Sequence, residues 1–173
     1  MNIVFCTNND NTEPVVVFLR KNGETVTVTD DHKSIKRCDL LMSYNYRHII
    51  EPAILRKFPA INLHLSYLPW NRGSHPVMWA AINGTQMGVT IHWMADRLDG
   101  GQIIARMPVV CHDTYSLELA YQVHQDAMLE LLRDQWQRIK SLIGDYHRTG
   151  DLKSVKLQNG WQTTIGEVRN ANA

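Results

Sequence analysis

Residues 60–65 read AINLHL, and residues 66–76 that follow read SYLPWNRGSHP. The first segment is short and apolar, and it predicts a buried β-strand. Because side chains alternate along a strand, Asn62 and His64 project to one face while the apolar residues take the other. A polar pair there costs free energy unless it is satisfied, so it is either a hydrogen-bonded structural pair or part of a site. The loop favours a site, because α/β sheets bind ligands at the carboxyl ends of parallel strands.

Short apolar segments that alternate with helical patterns predict an α/β domain with a mostly parallel sheet and flanking helices. The longest periodic segment, residues 116–143, predicts an amphipathic helix that packs on the sheet and ends near Gly144. Residues 14–21 predict a helix, although their VVVF run also suits a strand. The predicted strands cover residues 2–7, 25–29, 39–43, 60–65, 88–94 and 102–110, and two further predicted helices cover residues 51–58 and 76–82.

The composition predicts one neutral globular domain. The chain has 173 residues, 44% hydrophobic and 20% charged, which fits a single domain over residues 1–173 with residues 144–173 as a polar C-terminal tail. With 18 Lys and Arg against 17 Asp and Glu, the net charge is +1, so a nucleic acid partner is not indicated. No apolar stretch approaches the roughly 20 residues that span a bilayer, so no membrane partner is expected. The start lacks a secretion signal and the three cysteines lack CxxC spacing, which predicts a cytoplasmic protein with reduced thiols.

A second polar motif, DRLDGG at residues 96–101, follows the strand predicted at residues 88–94. It could be no more than a polar turn between strands. The functional interpretation is that one of its carboxylates returns to His64, where it would orient the imidazole and raise its pKa. His92 could also approach this cleft. Most other histidines have no partner at metal-ligand spacing, so no metal is expected.

Four motifs occur in order within residues 61–104: NLH, SYLP, GVT and LDGG. In this combination the sequence resembles the folate-dependent formyltransferases, whose pattern is Asn-x-His, Ser-x-Leu-Pro, Gly-Val-Thr and Leu-Asp-x-Gly, with the strongest match over residues 38–105. The resemblance implies a Rossmann-like formyltransferase fold with a long C-terminal helix. It also implies an enzyme that transfers a formyl group from its co-substrate, 10-formyltetrahydrofolate, to a primary amine. The catalytic residues that it implies are Asn62, His64 and Asp99.

These three residue types suit that chemistry. Asn62 would offer an amide donor to the developing oxyanion, a preorganised dipole of the kind that contributes about 3 kcal/mol. His64, paired with Asp99, would donate to the oxyanion and assist proton movement between the amine and the leaving folate nitrogen. Because no covalent enzyme intermediate is needed, the lack of an activated Cys or Ser is no objection.

The resemblance places the folate against two segments. Residues 43–50, SYNYRHII, correspond to one wall of the folate cleft, and residues 94–98 correspond to a loop that grips the pterin through backbone groups. Tyr46 and Arg47 are also open to interpretation as ordinary core and surface residues. The implied cofactor-binding residues are Asn45, Tyr46, Arg47, Met94, Asp96 and Arg97.

Residues 68–79, LPWNRGSHPVMW, carry the indication of the acceptor. They are similar to the LPYNRG-x-x-P-x-x-W form of sugar N-formyltransferases that modify nucleotide-linked amino sugars, and of formylation domains in peptide synthetases. A sugar acceptor would imply a role in lipopolysaccharide or O-antigen biosynthesis. A core Trp and a solvated Arg are the alternative interpretations. The implied substrate-binding residues are Trp70, Asn71, Arg72 and Trp79, with Arg72 facing a phosphate or carboxylate.

The sequence departs from the family pattern in two places. Where the family usually reads Leu-Asp-Thr-Gly-Asp, residues 98–102 read LDGGQ, which puts the local hydrogen bonding in question. The N-terminal third is also short and lacks the Gly-rich first turn. A formylation module for an aminoacyl carrier, a formyltetrahydrofolate hydrolase and a non-catalytic folate-binding or nucleotide-binding relative therefore stay open as alternatives. The long helix could also pack against a second subunit as a homodimer.

Overall fold

The computed structural model describes residues 1–112 and 115–150, which form one mixed sheet flanked by helices. The strands are β1 (Asn2–Cys6), β2 (Thr25–Thr29), β3 (Leu40–Tyr44), β4 (Ala60–His64), β5 (Gly88–Trp93) and β6 (Ile103–Pro108). Their order in the sheet is β2-β1-β3-β4-β5-β6. The first four strands in this order, β2, β1, β3 and β4, pair in parallel, whereas β5 is antiparallel to β4 and β6 is antiparallel to β5. The helices are α1 (Glu13–Lys21), α2 (Pro52–Leu55), α3 (Pro76–Asn83) and α4 (Leu117–Thr149).

The predicted fold class, α/β with a mostly parallel sheet, flanking helices and a long C-terminal helix, is confirmed. The alternation along β4 explains how the sheet separates core from site. Ile61 and Leu63 are buried in the main hydrophobic core, which also holds residues of α1 and α4. Asn62 and His64 lie between them in sequence and therefore face the other side of the sheet. On that side a smaller apolar cluster around Leu41 supports α2.

The VVVF run belongs to helix α1 and not to a strand, so the helix predicted for residues 14–21 is confirmed. Val15, Val16 and Leu19 are buried, so one face of the helix meets the sheet. The neighbouring α2 is shorter than the predicted 51–58 segment. After Pro52–Leu55 the backbone tightens, because the amide of Lys57 bonds to the carbonyl of Ile54 only three residues earlier.

The long helix α4 begins where predicted but does not end near Gly144. Ser116 accepts the amide of Leu119 as an N-cap, and the helix continues to Thr149, where Gly150 has a left-handed φ of 71°. The prediction was wrong at this end because tertiary contacts outweigh the low helix propensity of one glycine. The Nε2 atom of His147 lies 2.8 Å from the carbonyl oxygen of Asp39. The remainder of the predicted polar tail, residues 151–173, lies outside the described residues.

Two further observations concern the described part of the chain. No helix within residues 1–112 and 115–150 combines the length and the hydrophobicity that crossing a bilayer requires. Cys6, Cys38 and Cys111 are free thiols.

Candidate active site

A cleft of about 620 Å³ lies over the face of the sheet that carries Asn62 and His64. A volume of this size suits a small-molecule ligand. The segments that follow β1 and β3 contribute walls, as expected at the carboxyl edge of parallel strands. All nine residues predicted for catalysis and cofactor binding line the cleft: Asn45, Tyr46, Arg47, Asn62, His64, Met94, Asp96, Arg97 and Asp99.

The amide of Asn62 lies beside a carboxylate and a second imidazole. Its Nδ2 atom is 3.0 Å from Oδ1 of Asp99 and 3.3 Å from Nε2 of His92, and those two acceptors are 3.5 Å apart. The triangle has an angle of about 67° at the Asn62 nitrogen. The two N–H bonds of an amide diverge by about 120°. One N–H bond can therefore serve both acceptors, which leaves the second N–H bond for a group in the cleft.

His92 is held in one tautomer by the backbone. Its Nδ1 atom is 2.8 Å from the carbonyl oxygen of Trp93, and a carbonyl can only accept, so Nδ1 carries the hydrogen. With this hydrogen on Nδ1, the lone pair of Nε2 faces the amide of Asn62. The His92 side chain is only 2% exposed, which fixes this arrangement at the floor of the cleft.

Asp99 is the centre of the polar cluster. Its backbone has a left-handed φ of 43°, and its Oδ2 atom accepts the amide of Gly73 at 2.8 Å. Burial alone would raise the pKa of Asp99. In the acid range where the Asp99 carboxyl takes up its proton, hydrogen bonding with His92, the positive charge of protonated His64 and the amide of Gly73 outweigh burial and lower the pKa of Asp99 to about 2. The carboxylate is therefore ionised throughout the neutral range.

His64 lies between Asp99 and the loop that follows β4. Its Nδ1 atom is 3.7 Å from Oδ2 of Asp99, and its Nε2 atom is 3.0 Å from the carbonyl oxygen of Asn71. The predicted approach of a carboxylate is present, but the predicted rise in pKa is wrong. Burial, which leaves 7% of the side chain exposed, lowers the pKa of His64 below its ordinary 6.5 and outweighs the opposing effect of Asp99.

The four residues predicted to bind the acceptor are not among those that line the cleft, whereas the next residues of the loop, 73–76, do line it. The side chains of Trp70 and Trp79 are 51% and 45% exposed, so neither is a core tryptophan. Arg72 is also exposed. Asn71 directs its side-chain amide to the hydroxyl of Thr85 at 2.6 Å.

The predicted folate wall is anchored by the buried His32. The hydroxyl of Tyr46 lies 2.7 Å from Nδ1 of the buried His32 and donates to the carbonyl of Asp30. The Nε2 atom of His32 lies 2.6 Å from the carboxylate of Glu51. Tyr46 is therefore fixed by its hydroxyl, and its ring remains half-buried beside the cleft.

Comparison with known proteins decides the family. A family model described as formyl transferase matches residues 3–134, which is more than half of the chain. The chain belongs to the formyl transferase family. The resemblance drawn from the four ordered motifs is confirmed, and so is the prediction that the chain is an enzyme of formyl transfer.

Solved structures of the same fold include several formyltransferases. The formyltransferase PseJ from Anoxybacillus kamchatkensis is 32% identical, with a TM-score of 0.73 over 81% of this chain and 77% of that one. That structure contains UDP-4,6-dideoxy-4-formamido-L-AltNAc and tetrahydrofolate. Protein Rv3404c from Mycobacterium tuberculosis is 25% identical, with a TM-score of 0.70 over 81% and 68% of the two chains. A 4-N formyltransferase from Francisella tularensis is 22% identical, with a TM-score of 0.71 over 81% and 69%, and shows likeness of fold alone.

Sequence reasoning missed several residues that line the cleft of this formyltransferase. Asn8 and Asn9 follow β1 at the carboxyl edge of the sheet, so their position carried a signal that could have been used. His75 lines the cleft with a left-handed φ of 55°, and Tyr121 reaches it from α4. Nothing in the helical periodicity around Tyr121 distinguishes it from an ordinary helix residue.

Proposed function

We propose that this formyltransferase transfers a formyl group from 10-formyltetrahydrofolate to the primary amine of a nucleotide-linked amino sugar. The observation that carries the proposal is the cluster of Asn62, His64 and Asp99 at the floor of the cleft. The 32% identical PseJ, which holds a UDP-linked formamido sugar and tetrahydrofolate, supports this choice of substrates.

The residues along one side of the cleft fit a reduced folate. The smaller apolar cluster reaches this region through Ile50, Leu55 and Met94, which would contact a flat ring system. We propose that this ligand is held by the residues that the family resemblance implies: Asn45, Tyr46, Arg47, Met94, Asp96 and Arg97. When bound, the formyl-carrying folate would supply the formyl group, whose carbon would form a bond to the acceptor amine as its bond to the folate nitrogen breaks.

The role proposed for Asn62 is to bind the formyl oxygen. One N–H bond of its amide can serve both Asp99 and His92, so the other can donate into the cleft. A fixed donor of this kind needs no reorganisation during the reaction, and loss of one such donor costs about 3 kcal/mol in known cases. Asp99 and His92 then act together to hold the amide in its working orientation.

The role proposed for His64 is to accept the proton that the attacking amine must lose. Because burial lowers its pKa, the imidazole is neutral at pH 7 and has a free lone pair on Nδ1. A proton gained at Nδ1 faces Oδ2 of Asp99, which is ionised and stabilises the resulting imidazolium. The imidazolium can return the proton to the leaving nitrogen, so His64 ends the cycle unchanged.

The charged groups around the cleft suit an anionic acceptor. Arg47 and Arg97 line it, and in the described part of the chain no carboxylate lies within ion-pair distance of either guanidinium. They are therefore available to a phosphate or to the carboxylates of a folate. We propose that the exposed Trp70, Arg72 and Trp79 contact the part of the acceptor that extends beyond the cleft, and that Asn71 shapes this region.

The experiment that tests the proposal measures product directly. The protein is incubated with 10-formyltetrahydrofolate and a panel of UDP-, dTDP- and GDP-linked amino sugars, and mass spectrometry detects a product heavier by one formyl group. We expect at least one sugar to be formylated by the wild type and not by His64→Asn. Formylation of a carrier-bound aminoacyl group but of no sugar, or formate release that needs no acceptor, would refute the proposed substrate.

A further inference from the structure

The backbone around the cleft is left-handed at several non-glycine residues. Within residues 1–112 and 115–150, the non-glycine residues with positive φ are Asn45, Asn71, His75 and Asp99. Three of them line the cleft, and the carbonyl of the fourth, Asn71, contacts His64. Such residues cost free energy and persist only where surrounding contacts fix them, most often at functional sites.

Asn71 joins two fixed points. Its carbonyl oxygen lies 3.0 Å from Nε2 of His64, and its side-chain amide donates to the hydroxyl of Thr85 at 2.6 Å. Thr85 is itself fixed at the end of α3, because its amide donates to the carbonyl of Ala80 at 3.1 Å. The bond to Thr85 therefore holds the left-handed turn that directs the Asn71 carbonyl at the imidazole.

We propose that Asn71, anchored by Thr85, is a positioning residue that sets the tautomer of His64. The Asn71 carbonyl and the Asp99 carboxylate can both only accept, but the carbonyl lies within hydrogen-bond distance of Nε2 at 3.0 Å, whereas Oδ2 of Asp99 lies beyond it from Nδ1, so the hydrogen of the neutral ring is kept on Nε2. The lone pair is then on Nδ1, the nitrogen that faces Asp99 at 3.7 Å. A proton taken up during the reaction arrives where the carboxylate stabilises it, whereas the other tautomer would offer its lone pair to a carbonyl.

This inference rests on the proposed role of His64 as proton acceptor, but it makes a separate statement about the resting enzyme. If Asn71 only stabilised the loop, loss of its anchor would lower stability without changing the hydrogen position on His64. If it sets the tautomer, the same loss moves the hydrogen toward Nδ1. The ¹⁵N chemical shifts of the imidazole distinguish these cases even if no acceptor is known.

The test uses Thr85→Val, which removes the hydroxyl at nearly constant shape. Histidine ¹⁵N shifts are recorded in the full-length protein, with His64 assigned by its loss in His64→Asn. The wild type is expected to show the hydrogen on Nε2, and Thr85→Val a mixture of tautomers. With the acceptor found above, kcat is expected to fall about tenfold, a fraction of a full general-base effect, while both KM values change less than about twofold.

Two controls accompany this variant. Thr85→Ser keeps the hydroxyl and should restore the wild-type shifts and kcat. Thr27→Val makes the same exchange at an exposed position of β2 and should change neither the His64 shifts nor kcat. If Thr85→Val does not fold, Asn71→Gly decides, because glycine adopts the left-handed turn without the side-chain anchor. Wild-type His64 shifts in the folded variant, whether or not kcat falls, would overturn the proposal.

Discussion

Replacing Asp99 by asparagine tests the electrostatics of the cleft, because this substitution removes the charge at nearly constant shape. In the wild type both carboxylate oxygens accept hydrogen bonds, from the Asn62 amide and from the Gly73 backbone. The new amide keeps one acceptor and presents an NH₂ group to the remaining donor. We therefore expect Asp99→Asn to fold but to lose both stability and catalytic rate.

The pKa of Asp99 sets the size of the stability loss. Its lowering from an ordinary 3.8 to about 2 corresponds to about 2 kcal/mol at neutral pH, since one pKa unit is about 1.4 kcal/mol. A carboxyl group whose pKa is lower in the folded state contributes this stability fully above the unfolded pKa. The contribution disappears as pH falls from about 4 toward 2, where the native carboxylate takes up its proton.

The assay is urea unfolding followed by tryptophan fluorescence at pH 7, 5, 4 and 3. We expect Asp99→Asn to be about 2 kcal/mol less stable than the wild type at pH 7 and 5, with the difference narrowing below pH 4. Asp126→Asn is the matched control at an exposed carboxylate on α4 and should change stability by less than about 0.5 kcal/mol. The reasoning would be refuted if Asp99→Asn changed the free energy of unfolding as little as the control does, or if its difference from the wild type did not narrow below pH 4.

Three further predictions concern single residues. His64→Asn should lower kcat by about 10² to 10⁴ with an unchanged circular dichroism spectrum. The midpoint of the His64-dependent fall in the wild-type rate should lie below pH 6.5, because burial lowers the pKa of that imidazole. Gly101→Ala should strongly destabilise the protein, since the new Cβ would lie 1.8 Å from the Trp93 carbonyl oxygen. Gly144→Ala has open space around it in α4 and should stabilise the protein by about 0.5 to 1 kcal/mol. Thermal unfolding measures both changes. Arg47→Ala should raise the KM of one substrate at least about fivefold with little change in kcat, because Arg47 is proposed to bind substrate without taking part in the chemistry. An unchanged KM for both substrates would contradict this role.

Much of the fold followed from patterns that depend only on local sequence. The alternation of Ile61, Asn62, Leu63 and His64 predicted the strand and which side chains face away from the core, because strand periodicity is geometric. The end of α4 was not predicted, because contacts of residues distant in sequence, such as His147 with the Asp39 carbonyl, decide how far a helix continues.

For the candidate site too, some features could be predicted from the sequence and others could not. The shared face of Asn62 and His64 was predicted from strand position, and the residues after β3 and β5 were implied by the family resemblance, whereas Asn8 and Asn9 after β1 were missed. The contribution of Asn71 was not predicted, because it acts through its backbone carbonyl, and nothing in the residue type shows which way a carbonyl points. The sign of the His64 pKa change was also wrong, because the sequence displays the neighbouring carboxylate but not the extent of burial.

Both glycines of the altered LDGGQ segment have close neighbours, Gly101 a backbone carbonyl and Gly100 the base of the Arg97 side chain. A Cβ at Gly101 would meet the Trp93 carbonyl oxygen, a backbone atom inside the sheet, so this glycine is required for the turn to close. A Cβ at Gly100 would lie 2.8 to 2.9 Å from Cγ, Cβ and Cδ of Arg97, and because the Arg97 Cβ is fixed to the backbone, a side chain here requires a shift of that residue. Neither glycine takes part in the hydrogen bonds of Asp99, so the departure from the usual threonine leaves the contacts of this carboxylate with Asn62 and Gly73 intact. The glycine at position 100 instead affects Arg97, whose side chain packs over Gly100 in the space that the threonine side chain of the family pattern would need.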